Sequence, residues 1–227
     1  MGEHIVLTAE DGHSLDAYRA APDGAAKAGL LVIQEIFGVN IHVRELCDAF
    51  AADGYLAIAP AMFDRMQRQV DLGYTAETVA AGRALKDDVG WDDPIADMQA
   101  GLVALREAVG GLAGKIGVVG YCWGGSLAWL AACRLEGDCA VGYYGGQIGQ
   151  FLDERPRSPT MLHFGSEDAG IPMSTVDRIG GAHPKVEIHV YEGAGHGFNC
   201  DQRADYHPVA FALARERTMA HFAEHLG

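Results

Sequence analysis

The chain lacks any apolar run approaching the roughly 20 residues that a membrane span requires. It is also poor in positive charge: 17 Lys and Arg face 31 Asp and Glu, for a formal net charge of −14. A polyanionic nucleic acid or an anionic membrane surface is therefore a poor partner. Small anionic ligands stay open, because such a site needs only one or two local cations. Cysteine is scarce, odd in number and without a C-x-x-C pair: Cys47, Cys122, Cys133, Cys139 and Cys200. Neither a disulfide framework nor a zinc ribbon is expected. No phosphate loop and no metal-ligand spacing appears, so no cofactor and no metal is expected. The opening MGEHIVLTAEDG carries Glu3, Glu10 and Asp11 and reads as no secretory signal. Val6 stands where a myristoylation signal needs Ser or Thr. These absences predict a cytoplasmic protein with a reduced thiol complement. Repeats, low-complexity tracts and long linkers are missing too, so residues 1–227 read as one domain, with a monomer favoured.

What is present is enough for a large core. Hydrophobic residues make up 49% of the 227 residues and charged ones 21%, a globular balance. A chain this long buries roughly 70–75% of its extended surface. The first segment alternates around Asp11-Gly12, so Ile5–Ala9 and Ser14–Arg19 predict a hairpin closed by a two-residue turn. Short apolar runs then recur at Leu30–Ile33, Tyr55–Ala59, Ile116–Val119, Ala140–Tyr144, Thr160–Phe164 and Val186–Tyr191. Continuous runs of this length fit parallel strands buried on both faces. Helical spacing between them predicts helices at Ile41–Ala52, Asp92–Val109, Gly125–Leu135 and His207–Leu226. The expectation is an α/β fold: a mostly parallel sheet flanked by helices, with an N-terminal antiparallel hairpin. Asp64–Thr75 is polar and irregular, and reads as a mobile or substrate-facing excursion.

The most informative stretch is Gly120-Tyr121-Cys122-Trp123-Gly124-Gly125. It follows one apolar run and opens a helix, which is the G-x-S-x-G nucleophile-elbow pattern with Cys in place of Ser. A sharp strand-to-helix turn brings backbones together, so the flanking positions cannot carry side chains. The turn also sets the sulfur at a helix N-terminus, which favours a thiolate. The Trp123 N–H then points at a developing oxyanion. A lone Cys is more often an inert core residue, and Cys47, Cys133 and Cys139 read that way. The order strand, elbow, helix singles out Cys122.

A thiol nucleophile needs a base and a group to orient it. Two apolar runs end in suitable loops. Thr160–Phe164 leads into Gly165-Ser166-Glu167-Asp168, and Val186–Tyr191 leads into Gly193-Ala194-Gly195-His196-Gly197. The order nucleophile, acid, histidine selects His196 and favours Asp168 over Glu167. His163 reads as packed and His189 as outward-facing. Leu30–Ile33 runs on into Gln34-Glu35-Ile36-Phe37-Gly38-Val39-Asn40. The loop after such a strand supplies a second oxyanion donor, here the Ile36 N–H. Glu35 would then lie within a side chain's length of Cys122.

Together these segments, with YLAIAP at Tyr55–Pro60, GVVGYCWGG at Gly117–Gly125 and AVGYYG at Ala140–Gly145, resemble the dienelactone hydrolase (carboxymethylenebutenolidase) family over nearly the whole chain. The resemblance implies an α/β-hydrolase fold and a Cys–His–Asp triad at Cys122, His196 and Asp168. It implies a further active-site Glu at Glu35, paired with the resting thiol. The implied reaction opens an enol-lactone, such as a dienelactone, to maleylacetate during aromatic degradation. The family holds the substrate carboxylate with two arginines, one four residues after the catalytic His; that position is Cys200 here. Arg203 is the nearest replacement. Arg65, Arg68 and Arg83 are candidates for the other arginine, and Tyr144 is a candidate pocket residue. A general esterase of the same family and a redox-sensing homologue without catalysis are the competing readings.

Overall fold

The structure, a computed structural model, describes residues 2–111 and 114–227. One eight-stranded sheet runs through it. The N-terminal strands β1 (Glu3–Thr8) and β2 (Ser14–Ala20) form the antiparallel hairpin. Its connection is longer than a two-residue turn. Ala9 N–H donates to His13 O and Gly12 N–H to Ala9 O, with Gly12 at φ 86, so the left-handed residue closes a five-residue loop. β2 then pairs antiparallel with β4 (Leu56–Pro60). Every later pairing is parallel: β3 (Gly29–Ile33) with β4 and β5 (Ile116–Tyr121), then β6 (Cys139–Tyr143), β7 (Thr160–Gly165) and β8 (Glu187–Tyr191). The spatial order is β1-β2-β4-β3-β5-β6-β7-β8. β3 to β7 are buried along their whole lengths, which is why they read as unbroken apolar runs. β8 differs. It is the edge strand on the parallel side, opposite β1, and Glu187 and Val190 face solvent.

Among the described residues, six α-helices cover the sheet. α1 (Ile41–Ala52) begins where Asn40 accepts the Val43 N–H at 3.3 Å, an N-cap that satisfies an otherwise orphaned donor. α3 (Asp92–Ala108) and α4 (Trp123–Arg134) follow the expected pattern, although α4 begins two residues earlier than its apolar spacing indicates. α6 (Pro208–Leu226) is capped by the His207 ring, which accepts the Ala210 N–H, with proline in its first turn. Two further helices, α2 (Ala76–Val89) and α5 (Met173–Ala182), are additions to the expected set. No described helix is long and apolar enough to cross a membrane.

The Asp64–Thr75 segment is tied down rather than free. Arg65 donates to the buried Asp97 carboxylate of α3 at 2.8–3.1 Å. Asp71 bridges Gly38, and Leu72 N–H donates to Phe37 O. Its role is to deliver the chain to α2.

Candidate active site

The strand ends converge on one cavity of about 450 Å³. Its walls include Ile36, Phe37, Cys122, Trp123, Asp168 and His196. All of these lie at or beyond the carboxyl ends of parallel strands, where open α/β sheets place their sites.

Cys122 joins β5 to α4 with φ 56 and ψ −116, a left-handed conformation that costs roughly 1–3 kcal/mol for a residue bearing a Cβ. The neighbours make that turn possible. A Cβ on Gly120 would sit 1.8 Å from Gly124 O, and one on Gly124 would sit 2.4 Å from Gln34 O. No L side chain fits at either position. Cys122 N–H donates to Tyr143 O at 2.9 Å, which anchors the turn to β6. Trp123 opens α4, so its N–H has no intrahelical acceptor. Its indole is buried and stacked on Phe63, with ring centroids 5.1 Å apart and planes 8° from parallel. That stacking holds the first helical residue in place.

The His196 Nε2 lies 3.1 Å from the Cys122 sulfur, and its Nδ1 donates to Asp168 Oδ2 at 2.7 Å. The other Asp168 oxygen accepts the Gly170 N–H at 2.8 Å, so the carboxylate is fixed from both sides. Glu167, the competing acid, is exposed on the cavity wall. Burial works against a charge on the His196 imidazole. The adjacent Cys122 sulfur and the Asp168 hydrogen bond outweigh it and raise the group from 6.5 to about 10. By contrast, burial pushes the Cys133 and Cys139 thiols up to about 12, as befits core cysteines. The arrangement is thus a partly exposed sulfur, an imidazole that holds a proton and a fixed carboxylate. It can supply a nucleophile and a base.

The model of the dienelactone hydrolase family matches residues 15–226. A carboxymethylenebutenolidase of Pseudomonas putida is 34% identical over 228 residues, covering 96% of this chain and 94% of that protein. The chain belongs to the dienelactone hydrolase family. A crystal structure from Klebsiella pneumoniae, provisionally named a dienelactone hydrolase, superposes with a TM-score of 0.82 at 30% identity, covering 97% of this chain and 99% of that one. An esterase of Pyrococcus furiosus shares the fold, with a TM-score of 0.72, 16% identity and coverage of 100% and 93%. The architecture is accordingly the α/β-hydrolase fold. As a member of the dienelactone hydrolase family, the protein is a hydrolase acting on ester bonds.

The rest of the site departs from what the family resemblance implies. Glu35 is almost fully buried, but its carboxylate faces Arg203 Nη1 at 3.4 Å. The Cys122 thiol is therefore partnered by His196 and not by Glu35. Arg203 lies alongside the edge-packed ring pair Phe37 and Tyr74, whose centroids are 4.7 Å apart, its guanidinium 5.9 and 5.8 Å from them. Cys200 points to the Tyr74 hydroxyl at 3.3 Å. Of the three arginines left open by sequence, Arg83 alone lines the cavity. Arg65 is committed to Asp97 and Asp11, and Arg68 to the Ser14 carbonyl, Asp16 and Asp64. Tyr144 is fully buried and sits against the His196 ring, with centroids 5.0 Å apart. It supports that ring from behind the cavity wall. Residues that sequence reasoning did not single out also line the cavity: Val79, Lys86 and Asp87 on α2, and Ile171 after β7. Thr75, which accepts the Thr78 N–H at 3.3 Å, is the capping signal that announces α2.

Proposed function

We propose that the protein hydrolyses carboxylated enol-lactones of the dienelactone type through an acyl-thioester on Cys122. The observation that carries this reading is the continuous chain from the Cys122 sulfur to His196 Nε2 at 3.1 Å and from Nδ1 to Asp168 at 2.7 Å. The thiolate attacks the ring carbonyl. The Ile36 and Trp123 N–H groups stabilise the oxyanion, each contributing about 2.7–4 kcal/mol to the lowered barrier. The ring C–O bond breaks and the enolate leaves, taking the proton from the His196 imidazolium. Acylation removes the charge on sulfur, and with it the main influence raising His196. The imidazole is then free to take a proton from water, which attacks the thioester and releases the acid and the thiolate. Asp168 holds the imidazole throughout.

Arg83 and Arg203 supply the cations that select a carboxylated substrate. Arg83 has no carboxylate partner among the described residues, whereas Arg203 is oriented by Glu35. Glu35 thus acts as a positioning residue for Arg203. The name of the Pseudomonas putida relative supports the same substrate class.

Turnover of a dienelactone and of an uncharged aryl ester tests the reading. Cys122→Ala should abolish both, and intact mass should detect an acyl adduct only when Cys122 is present. Arg203→Met and Arg83→Met should each raise KM for the dienelactone by about tenfold, equivalent to about 1.4 kcal/mol, and leave the uncharged ester unaffected. Undiminished hydrolysis by Cys122→Ala removes the nucleophile. Equal losses on both substrates in the arginine variants would favour a general esterase.

A further inference from the structure

A second group of donor atoms lies beside the Glu35 carboxylate. Glu35, His42 and Cys200 each offer one ligand atom, and these three atoms lie within 4.8 Å of one another. The residues come from three separate places: the loop after β3, the first turn of α1 and the loop after His196. All three are buried, at 1%, 4% and 0% exposure. Hydrolysis explains neither His42 nor Cys200. The His42 Nε2 is buried without a hydrogen-bond partner among the described residues, a situation that costs about 1–3 kcal/mol when nothing compensates it. The Cys200 sulfur meets the Tyr74 hydroxyl at 3.3 Å and the Gln202 backbone N–H.

The donor set is chemically selective. Magnesium and calcium take oxygen ligands in larger numbers. One thiolate, one imidazole and one carboxylate suit zinc and its neighbours. Three protein ligands leave one position of a tetrahedron open for water. Zinc bonds of about 2.0–2.3 Å set ligand atoms roughly 3.3–3.8 Å apart, so a closure of about 1 Å completes the geometry. The carboxylate and thiolate together balance a divalent charge. The thiol proton departs to solvent as the metal–sulfur bond forms, and no oxidation change occurs. The trio also adjoins the surface. His42 also belongs to a group with Glu45 and Asp201, both exposed, so its ring links the surface to the buried trio.

We propose that Glu35, His42 and Cys200 form a binding site for a zinc-class divalent ion, and that the ion competes with Arg203 for the Glu35 carboxylate. Arg203 Nη1 stands 3.4 Å from the Glu35 carboxylate, so a divalent ion on that carboxylate would face the guanidinium charge at close range, and each cation weakens the other's hold. The site therefore couples metal binding to the position of a cavity-lining cation.

Cobalt(II) chloride, titrated into the full-length chain carrying Cys122→Ser, tests the site with the elbow sulfur removed. The expected result is one ion per chain, a sulfur-to-cobalt charge-transfer band in the near ultraviolet and the intense visible bands of a four-coordinate ion. Zinc chloride should bleach them. Adding Cys200→Ser should remove the charge-transfer band, and His42→Gln should weaken binding by at least the roughly 10–100-fold that loss of even an outer-shell partner costs. Arg203→Met should tighten it, by loss of the competitor. That gain also guards against misfolding, since a chain that binds more tightly is folded. Absence of the band at saturating cobalt overturns the proposal, as does a band that survives Cys200→Ser. Binding that shows no sulfur signature and is lost in Glu45→Gln with Asp201→Asn would reduce the site to surface carboxylates and overturn it equally.

Discussion

A single proton on His196 carries the most direct test of the site at the residue scale. Burial opposes the charge, yet the neighbouring sulfur and Asp168 raise the group to about 10. A histidine with a raised value keeps its proton as pH rises past 6.5 and loses it only near the raised value. The ring signal should therefore stay flat between about pH 6 and 9 in a nuclear magnetic resonance titration, in the range where a free imidazole would titrate. Alkylating Cys122 with iodoacetamide removes the sulfur charge, and the titration midpoint should then fall toward 6.5. A midpoint near 6.5 before alkylation would mean that no thiolate–imidazolium pair exists. The grouping of Cys122, His196 and Asp168 was legible in sequence because Gly120 and Gly124 mark the elbow, glycines flank His196, and chain order after the strands selects Asp168. Arg203 was less so. Its pairing with Glu35 joins residues 35 and 203, and no local spacing encodes such a contact. The Cys200 position showed only that the family arginine was missing, while the aromatic rings that seat Arg203 come from two distant segments.

At the scale of elements, α2 matters more than its sequence suggests. Only Gly82 and Val89 of its fourteen residues are buried, with Val79 and Leu85 half-buried beside them, so its apolar stripe is too thin for hydrophobic periodicity to stand out. Its local signals were the Thr75 cap and a run of good helix formers. α5 was hidden in the same way, by its two glycines and short length. The strands of the sheet interior, by contrast, could be read directly, because burial on both faces leaves an unbroken apolar run. α2 presses on the active-site loop at one point: a Cβ on Gly82 would meet Ile36 O at 2.1 Å. Gly82→Ala gains helix propensity of about 1 kcal/mol but must push the Ile36 loop aside. A shift of about 1 Å in a reacting group can cost about 10²-fold, so kcat for ester turnover should fall by about 10–100-fold while thermal stability changes little. Full activity would show that α2 does not set the loop. α3 carries a different constraint. The Asp97 side chain is fully buried and accepts from Arg65, whose own side chain is 12% exposed. Asp97→Ala strands that guanidinium on the exposed Asp11 alone. Breaking a buried pair costs about 3–5 kcal/mol, and Asp11 keeps the expected loss near the lower figure. Tm should drop by roughly 6–12 °C, which calorimetry can measure. A change within about 1 °C would mean that the Asp64–Thr75 segment does not depend on this anchor.

For the whole molecule, the deciding quantity is the contrast between the far field and the cavity. The chain carries −14, while the cavity walls hold Arg83, Lys86 and Arg203 against Asp87, Glu167 and Asp205, a local balance outside the Cys122, His196 and Asp168 group. On the proposed function, a carboxylated substrate is repelled at long range and attracted only once it reaches Arg83 and Arg203. Salt acts on these two ranges unequally. The Debye length is about 30 Å at 0.01 M and about 8 Å at 0.15 M, so added salt removes the long-range repulsion first. Short contacts inside a partly enclosed cavity are screened much less. The kcat/KM for an anionic lactone should consequently rise by roughly twofold or more over that range of ionic strength, because encounter is the step being eased. An uncharged ester should show no such trend, and KM-saturating turnover should be flat for both. A fall in kcat/KM with salt for the anionic substrate alone would reverse the balance: the two arginines would then be steering the substrate from a distance, and the acidic exterior would be immaterial to capture.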